Sequence, residues 1–87
     1  MQLPPILDLG AAAPLATEFN AARGQPVEVD ASSVERVGGL CLQVLIAAQQ
    51  AWRADAVPFA IVNPSEAFLN NVRLMAAHEL VPEEMAA

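Results

Sequence analysis

The chain has 87 residues, of which 55% are hydrophobic and 16% charged, and its formal net charge is −6 at pH 7. This length suffices for one domain, and the high hydrophobic fraction excludes a disordered chain. The only cations are four scattered arginines, too few for the basic patch that a nucleic acid or an anionic membrane surface requires: Arg23, Arg36, Arg53 and Arg73.

The chain has few residues of the types that carry chemistry. Cys41 is its only cysteine and His78 its only histidine, which excludes an intramolecular disulfide and a structural zinc site. Cys41 lies in an apolar run that disfavours a thiolate, so a Cys–His nucleophile is not expected. With no signal-peptide pattern and no apolar stretch long enough to span a bilayer, we expect a cytoplasmic protein that does not insert into membranes, has no metal or cofactor, and is not an enzyme.

The first third of the chain predicts an extended segment followed by a helix. Residues 1–9 contain two consecutive prolines, which fit only an edge strand or an irregular extended segment. Apolar residues then recur with helical spacing over 11–23. Because a proline is best tolerated in the first helical turn, we expect the helix to begin close to Pro14 and to end with Gly24 as its C-cap.

The middle of the chain predicts a strand and a long helix. Residues 26–30 alternate apolar and polar side chains, which indicates a strand. After Gly38 and Gly39, a helix is expected over about 40–54, with Trp52 on its main apolar stripe and therefore in the core.

The first half of this second helix is apolar on more than one side. Leu42 and Ile46 lie outside the main apolar arc, beside Gln49 and Arg53. Two interpretations remain open: the extra apolar residues are buried within the domain, or they form a surface for a partner. The second interpretation gives the predicted partner-binding residues Leu40, Leu42, Ile46, Gln49 and Arg53.

The last third predicts a buried strand and a capped helix. Residues 57–62 form a nearly continuous apolar run, as expected for a strand covered on both faces. Asn63 is the expected N-cap of the helix that follows, with Pro64 in its first turn. The acidic residues 80–87 are expected to form a frayed tail. Alternating strands and helices with short links predict an α/β fold with parallel neighbouring strands.

Two carboxylates and a glycine pair are the only candidates for a chemical site. Asp8 and Asp30 end two predicted parallel strands, where ligands gather in such sheets. No further metal-ligand cluster accompanies them, so capping or solvation is the favoured role. The Gly38–Gly39 pair precedes a helix but lacks the Lys and Ser/Thr of a phosphate loop, which favours a tight strand-to-helix turn.

One segment resembles a known family. Residues 27–48, VEVDASSVERVGGLCLQVLIAA, are similar to the central segment of STAS domains, the small modules of bacterial anti-sigma-factor antagonists and of sulfate-transporter tails. Asp30 matches the family's strand-end Asp, and Leu42 is among the matching helix residues. Ile6–Asp8 resembles the segment before the family's first helix, and Asn63–Ser65 the loop into its next helix. The resemblance covers almost the whole chain.

The chain departs from this family at the phosphorylation motif. Where the family has Asp-Ser-Ser-Gly, this chain has Gly38, Gly39, Leu40 and Cys41, so the phosphorylated serine falls on a residue that cannot accept phosphate. The acidic position at Asp8 is retained. The resemblance therefore implies a STAS domain without the usual serine switch, and it leaves open whether Ser32 or Ser33 replaces it.

The resemblance implies a single domain over 1–87 with a sheet of about four mostly parallel strands, flanked by three to four helices. It implies a non-catalytic regulatory interaction module in bacterial signal transduction, of the sigma-factor or chemotaxis type. The expected partner is a protein: an ATPase-type kinase or another signalling component. The alternative is a small subunit bound to the ATPase of a lipid-handling ABC transporter. A homodimer is a further possibility.

Overall fold

The structure, a computed structural model that describes residues 1–75, is an α/β fold of four short strands and three helices. In chain order the elements are β1 (Ile6–Leu7), α1 (Leu9–Ala21), β2 (Val27–Asp30), β3 (Arg36–Val37), α2 (Gly39–Ala54), β4 (Phe59–Val62) and α3 (Glu66–Leu74). This confirms the expected fold class. The predicted tail at 80–87 and His78 lie outside the described residues.

The strands form two parallel pairs. β1 pairs with β3, and β2 pairs with β4 in a register that places Val29 opposite Ile61. The segment before β1 joins the pairs through a parallel bridge between Gln2 and Asp30, with the Leu3 amide donating to the Asp30 carbonyl at 2.9 Å. All of these pairings are parallel, as short strand–helix alternation favours. The two prolines separate the part of the N-terminal segment beside β2 from the part beside β3.

The core lies between the sheet and the helices. α1 and α2 pack against each other, whereas α3 packs against β3. Phe19, Trp52 and Phe59 form an aromatic cluster with ring centroids 5.9 to 6.0 Å apart. Trp52 is buried, as expected, and its indole N–H donates to the Gln25 carbonyl at 2.7 Å. The bond satisfies the one polar atom of this side chain in a core that is otherwise apolar.

α1 begins earlier than the sequence predicts. It starts at Leu9, directly after its N-cap residue Asp8, so that Pro14 lies inside the helix rather than in its first turn. Gly24 has a φ of 89° but follows the C-cap residue Ala22 by two positions. The expected boundary is wrong because Ala12 is buried with the later core residues of α1, and its burial extends the helix past the proline.

α3 is capped by Ser65 rather than by the predicted Asn63. The Ser65 hydroxyl accepts from the Phe68 amide at 3.0 Å and donates to the Val34 carbonyl at 2.6 Å. Asn63 instead has a φ of 49° in the turn that leaves β4. The bond from Ser65 to Val34 joins residues 31 positions apart. Such a tertiary contact cannot be predicted from the local pattern of capping residues.

Candidate functional site

Two helices begin side by side at the end of the β1–β3 pair. The amide of Gly38, the N-cap residue of α2, donates to the Leu7 carbonyl at 2.7 Å. The Cys41 thiol donates to the carbonyl of Asp8, the N-cap residue of α1, with 3.2 Å between sulfur and oxygen. These two bonds hold the start of α2 against the strand-to-helix turn of α1.

Exposed apolar side chains occur at both helix starts. Leu9, the first residue of α1, is 76% exposed, and Leu40, the second residue of α2, is 51% exposed. Gly39, which directly precedes Leu40 in α2, is also exposed and carries no side chain. We call Asp8, Leu9, Gly39 and Leu40 together the leucine face. Neither helix start has a side-chain cap, so first-turn amides at this face depend on backbone carbonyls or solvent.

The two glycines at this site have different surroundings. A Cβ at Gly38 would lie 3.2 Å from the Leu7 carbonyl oxygen, which is tighter than an ordinary van der Waals contact. A Cβ at Gly39 would meet nothing within 4 Å. A side chain at Gly38 would therefore have to displace the Leu7 carbonyl slightly, whereas the backbone of Gly39 borders open space that another molecule can enter.

The electrostatics of the face are set by one carboxylate. Asp8 is exposed, and its side chain makes no capping hydrogen bond. Cys41 is fully buried, and its pKa is raised above the ordinary value of 9.0, first by burial and second by the charge of Asp8. The thiol is therefore protonated at neutral pH. Neither Gly39 nor Leu40 carries a hydroxyl.

The five predicted partner-binding residues do not form one surface. Leu42 is only 3% exposed and belongs to the core, which corrects its expected place on the partner-facing side. For this residue, extra burial is the right interpretation. Ile46 is half-buried and packs against the core. Leu40 remains exposed at the start of α2.

Gln49 and Arg53 lie toward the other end of α2. With Val57 and Phe59 they line a shallow cleft of about 210 Å³. Arg53 follows Leu40 by 13 residues, which corresponds to roughly 20 Å along the helix at its usual rise. The cleft and the leucine face are therefore separate surfaces of the same helix.

The two candidate carboxylates are also separate. Asp30 ends β2 and bridges to Gln2, whereas Asp8 is the N-cap residue of α1 after β1, so the two residues belong to different turns. The Asp30 carboxylate accepts from the Ser32 amide at 2.8 Å, and hydrogen bonds from Ser32 lower its pKa below 3.8, with smaller contributions from Asn63 and the N-terminal amine. Asp30 is thus the acceptor of a turn, which agrees with the favoured capping role.

Ser32 and Ser33 are both exposed in the turn after β2, and the Ser33 hydroxyl accepts from the Gln2 side chain at 3.0 Å. Within residues 1–75 no group of acidic, Cys or His side chains is placed to hold a metal ion. In the same part of the chain no helix combines the length and apolarity needed to cross a membrane.

Leu9 is the residue of the face that the sequence did not reveal. Residues 1–9 read as an extended segment, so Leu9 was expected at its end rather than on a helix. The available signal is the Asp8–Leu9–Gly10 order, because Asp is a strong N-cap residue and a helix could begin directly after it.

Comparisons with known proteins give one match. The family model described as "Mlab, STAS domain" matches residues 2–82. Neither the curated proteins nor the solved structures give a match.

Proposed function

The chain belongs to the STAS domain family, and on this basis we propose that it is a non-catalytic regulatory module that binds a protein partner through the leucine face. The observation that supports this proposal is the pair of leucines, Leu9 and Leu40, exposed at adjacent helix starts beside the bare backbone of Gly39. STAS domains are interaction modules of the anti-sigma antagonist superfamily, and the resemblance matches Gly39 and Leu40 of this face to the family's phosphorylation motif.

The apolar surface of the face is large enough to matter for binding. Full burial of one leucine side chain contributes roughly 1.5–3 kcal/mol. Leu9 and Leu40 expose about three-quarters and half of their surface, so a partner that covers both gains about 2–4 kcal/mol from these two side chains. A gain of this size is typical of the few anchor residues that dominate a protein interface.

The same face lacks a group that phosphorylation can charge. A phosphoserine adds about two negative charges and alters docking at a helix start. Gly39 and Leu40 have no hydroxyl, so phosphorylation cannot change the charge of these two residues. Regulation of binding would therefore act on the partner. Ser32 and Ser33 lie in a different turn and are not part of the leucine face.

Two settings fit a surface of this kind. We favour a signalling module of the sigma-factor or chemotaxis type, which binds an ATPase-type kinase or another signalling component in the bacterial cytoplasm. A small subunit bound permanently to the ATPase of a lipid-handling ABC transporter is the second candidate. The missing hydroxyl favours it specifically, because a permanent complex needs no switch at its interface.

A paired substitution tests the docking surface. Leu40→Glu places a charge on the leucine face, and Gln50→Glu places the same charge on the same helix ten residues away, roughly 15 Å along its axis. Both positions are exposed, so both variants should keep the wild-type circular dichroism spectrum and urea midpoint. Each tagged protein is then used to capture partners from the native lysate, with quantitative mass spectrometry as the readout.

The proposal predicts that one stoichiometric partner is captured by the wild type and by Gln50→Glu but is depleted at least tenfold by Leu40→Glu. Equal capture by all three proteins would refute the placement of the interface. The identity of the partner separates the two settings: a kinase or chemotaxis component supports signalling, and a transporter ATPase with its membrane subunit supports the permanent subunit. Arg53→Glu, in the same assay, tests whether the cleft at the end of α2 contributes.

A further inference from the structure

The first turn of α1, Leu9–Ala13, is weakly held to the rest of the domain. Ala12 is its only fully buried side chain and Ala11 is half-buried against the core, whereas Leu9, Gly10 and Ala13 are exposed. The Asp8 side chain makes no capping bond, and the helix has no acidic residue in its first turn to interact with the helix dipole. Few buried contacts and solvent-exposed backbone bonds are the features of segments that open locally.

Two residues weaken the hydrogen bonds of this turn further. Pro14 has no N–H, so the Gly10 carbonyl lacks the partner that the residue four positions later normally provides. Gly10 itself lies in the helix, where glycine is a poor helix former. One of the hydrogen bonds that would join this turn to the remainder of α1 is therefore missing, and the buried residues Leu15 and Phe19 lie after the proline.

The neighbouring helix starts are held more firmly. At α2, Cys41 and Leu42 are buried in the first turn, and Gly38 bonds to β1. At α3, the Ser65 side chain provides a cap. We propose that Leu9–Ala13 opens as a unit while the rest of the domain stays folded, and that this turn is a movable side of the leucine face.

This motion has a consequence for binding that rests on the proposed function. Leu9 lies on the opening turn, whereas Leu40 lies on the anchored helix. A partner that covers both leucines binds only the closed turn, so docking selects the closed state and the open fraction reduces the apparent affinity.

Cys41 is a natural reporter of this opening, because it is the only cysteine in the sequence. Its side chain is fully buried and its thiol donates to the carbonyl of Asp8, the residue directly before the turn, so we expect a thiol reagent to reach it when this contact opens or when the domain unfolds. The experiment measures the reaction of Cys41 with a thiol reagent in the folded full-length protein and compares its protection with the folding equilibrium constant from urea denaturation. No partner is needed.

Three variants separate local opening from global unfolding. Pro14→Ala restores the missing N–H and should strengthen the turn. Ser65→Ala removes the cap of α3 and lowers global stability without altering α1. Gly10→Ala is a second variant of the turn, since its Cβ would meet only an Asp8 carboxylate oxygen at an ordinary 3.5 Å.

The proposal predicts that the protection of Cys41 is at least roughly tenfold smaller than the folding equilibrium constant, as for a segment that opens locally. It also predicts that Pro14→Ala or Gly10→Ala slows the reaction, while Ser65→Ala leaves its rate unchanged despite a lower urea midpoint. Protection equal to the folding constant, with a faster reaction in Ser65→Ala, would overturn it. Either result leaves the capture experiment with Leu40→Glu unaffected, so the two proposals fail separately.

Discussion

Substitution by alanine at the two glycines before and at the start of α2 should change stability in opposite directions. Gly39 is the first residue of the helix, its φ is not in the left-handed region, and an added Cβ would meet nothing within 4 Å. Alanine at such a position reduces the conformational entropy of the unfolded chain and improves helix propensity. We therefore expect Gly39→Ala to stabilise the fold by about 0.5–1 kcal/mol.

Gly38 should respond in the opposite way. It is the N-cap residue, for which alanine is a poor choice, and its Cβ would lie 3.2 Å from the Leu7 carbonyl oxygen. That oxygen cannot easily move, because it accepts the Gly38 amide at 2.7 Å. Together the lost cap preference and the close contact should cost about 1–2 kcal/mol in Gly38→Ala.

Urea denaturation of the wild type and the two variants, followed by far-UV circular dichroism, measures both effects. For a domain of this size, each 1 kcal/mol corresponds to a shift of roughly 4–8 °C in Tm, so thermal melts provide a second reading. A destabilised Gly39→Ala protein would show that the space above Gly39 is filled in the folded chain. Equal effects at both positions would refute the distinction between a glycine that the fold requires and one that it does not.

Three further predictions concern stability elsewhere in the domain. Ser65→Ala should destabilise by about 1–2 kcal/mol in urea melts, because it removes both the cap of α3 and the bond to the Val34 carbonyl, whereas Ser65→Thr should retain most of the stability. Hydrogen bonds lower the pKa of Asp30 below 3.8, so the ionised carboxylate stabilises the fold above that pH and this stabilisation is lost as the pH falls below it. The urea midpoint of Asp30→Asn should therefore decline less steeply on acidification than that of the wild type. Arg23→Ala should change stability by no more than about 0.5 kcal/mol, because the Arg23–Asp55 pair, at 2.9 Å, is roughly 40% exposed and screened by solvent.

The architecture could be predicted from the sequence because its signals are local. The alternation of strands and helices gives the parallel pairing, and helical periodicity places Trp52 in the core, as the structure confirms. β3 was not recognised as a strand because two residues are too few to show an alternating pattern. It exists through its pairing with β1, a contact between residues 30 positions apart.

The surface of α2 could be predicted only in part, because a helical wheel shows which residues share a side and not what covers them. Leu42 lies outside the main apolar arc, yet the bond from Gly38 to Leu7 draws the first turn of α2 against the sheet, and Leu42 is buried there. Leu40, two positions earlier, remains half exposed. The wheel places Leu40 on the main apolar arc and Leu42 outside it, which predicts the opposite burial of these two leucines. The observed difference therefore arises from tertiary packing.

The three helix starts differ in a way that bears on function. α3 has a Ser65 cap, an acidic residue in its first turn and a basic residue in its last, all as helix stability favours. α1 and α2 have neither a side-chain cap nor an acidic residue in the first turn, and these are the two helices that meet at the leucine face. Departures from local stability rules are expected where a surface has a further role. α3 of the same chain has a side-chain cap, so the absence of such caps at α1 and α2 is specific to the two helices that begin at the leucine face. A partly apolar surface with two uncapped helix starts and the single carboxylate of Asp8 is best satisfied by a partner that covers it, which is why we place the interface there rather than at the cleft at the far end of α2.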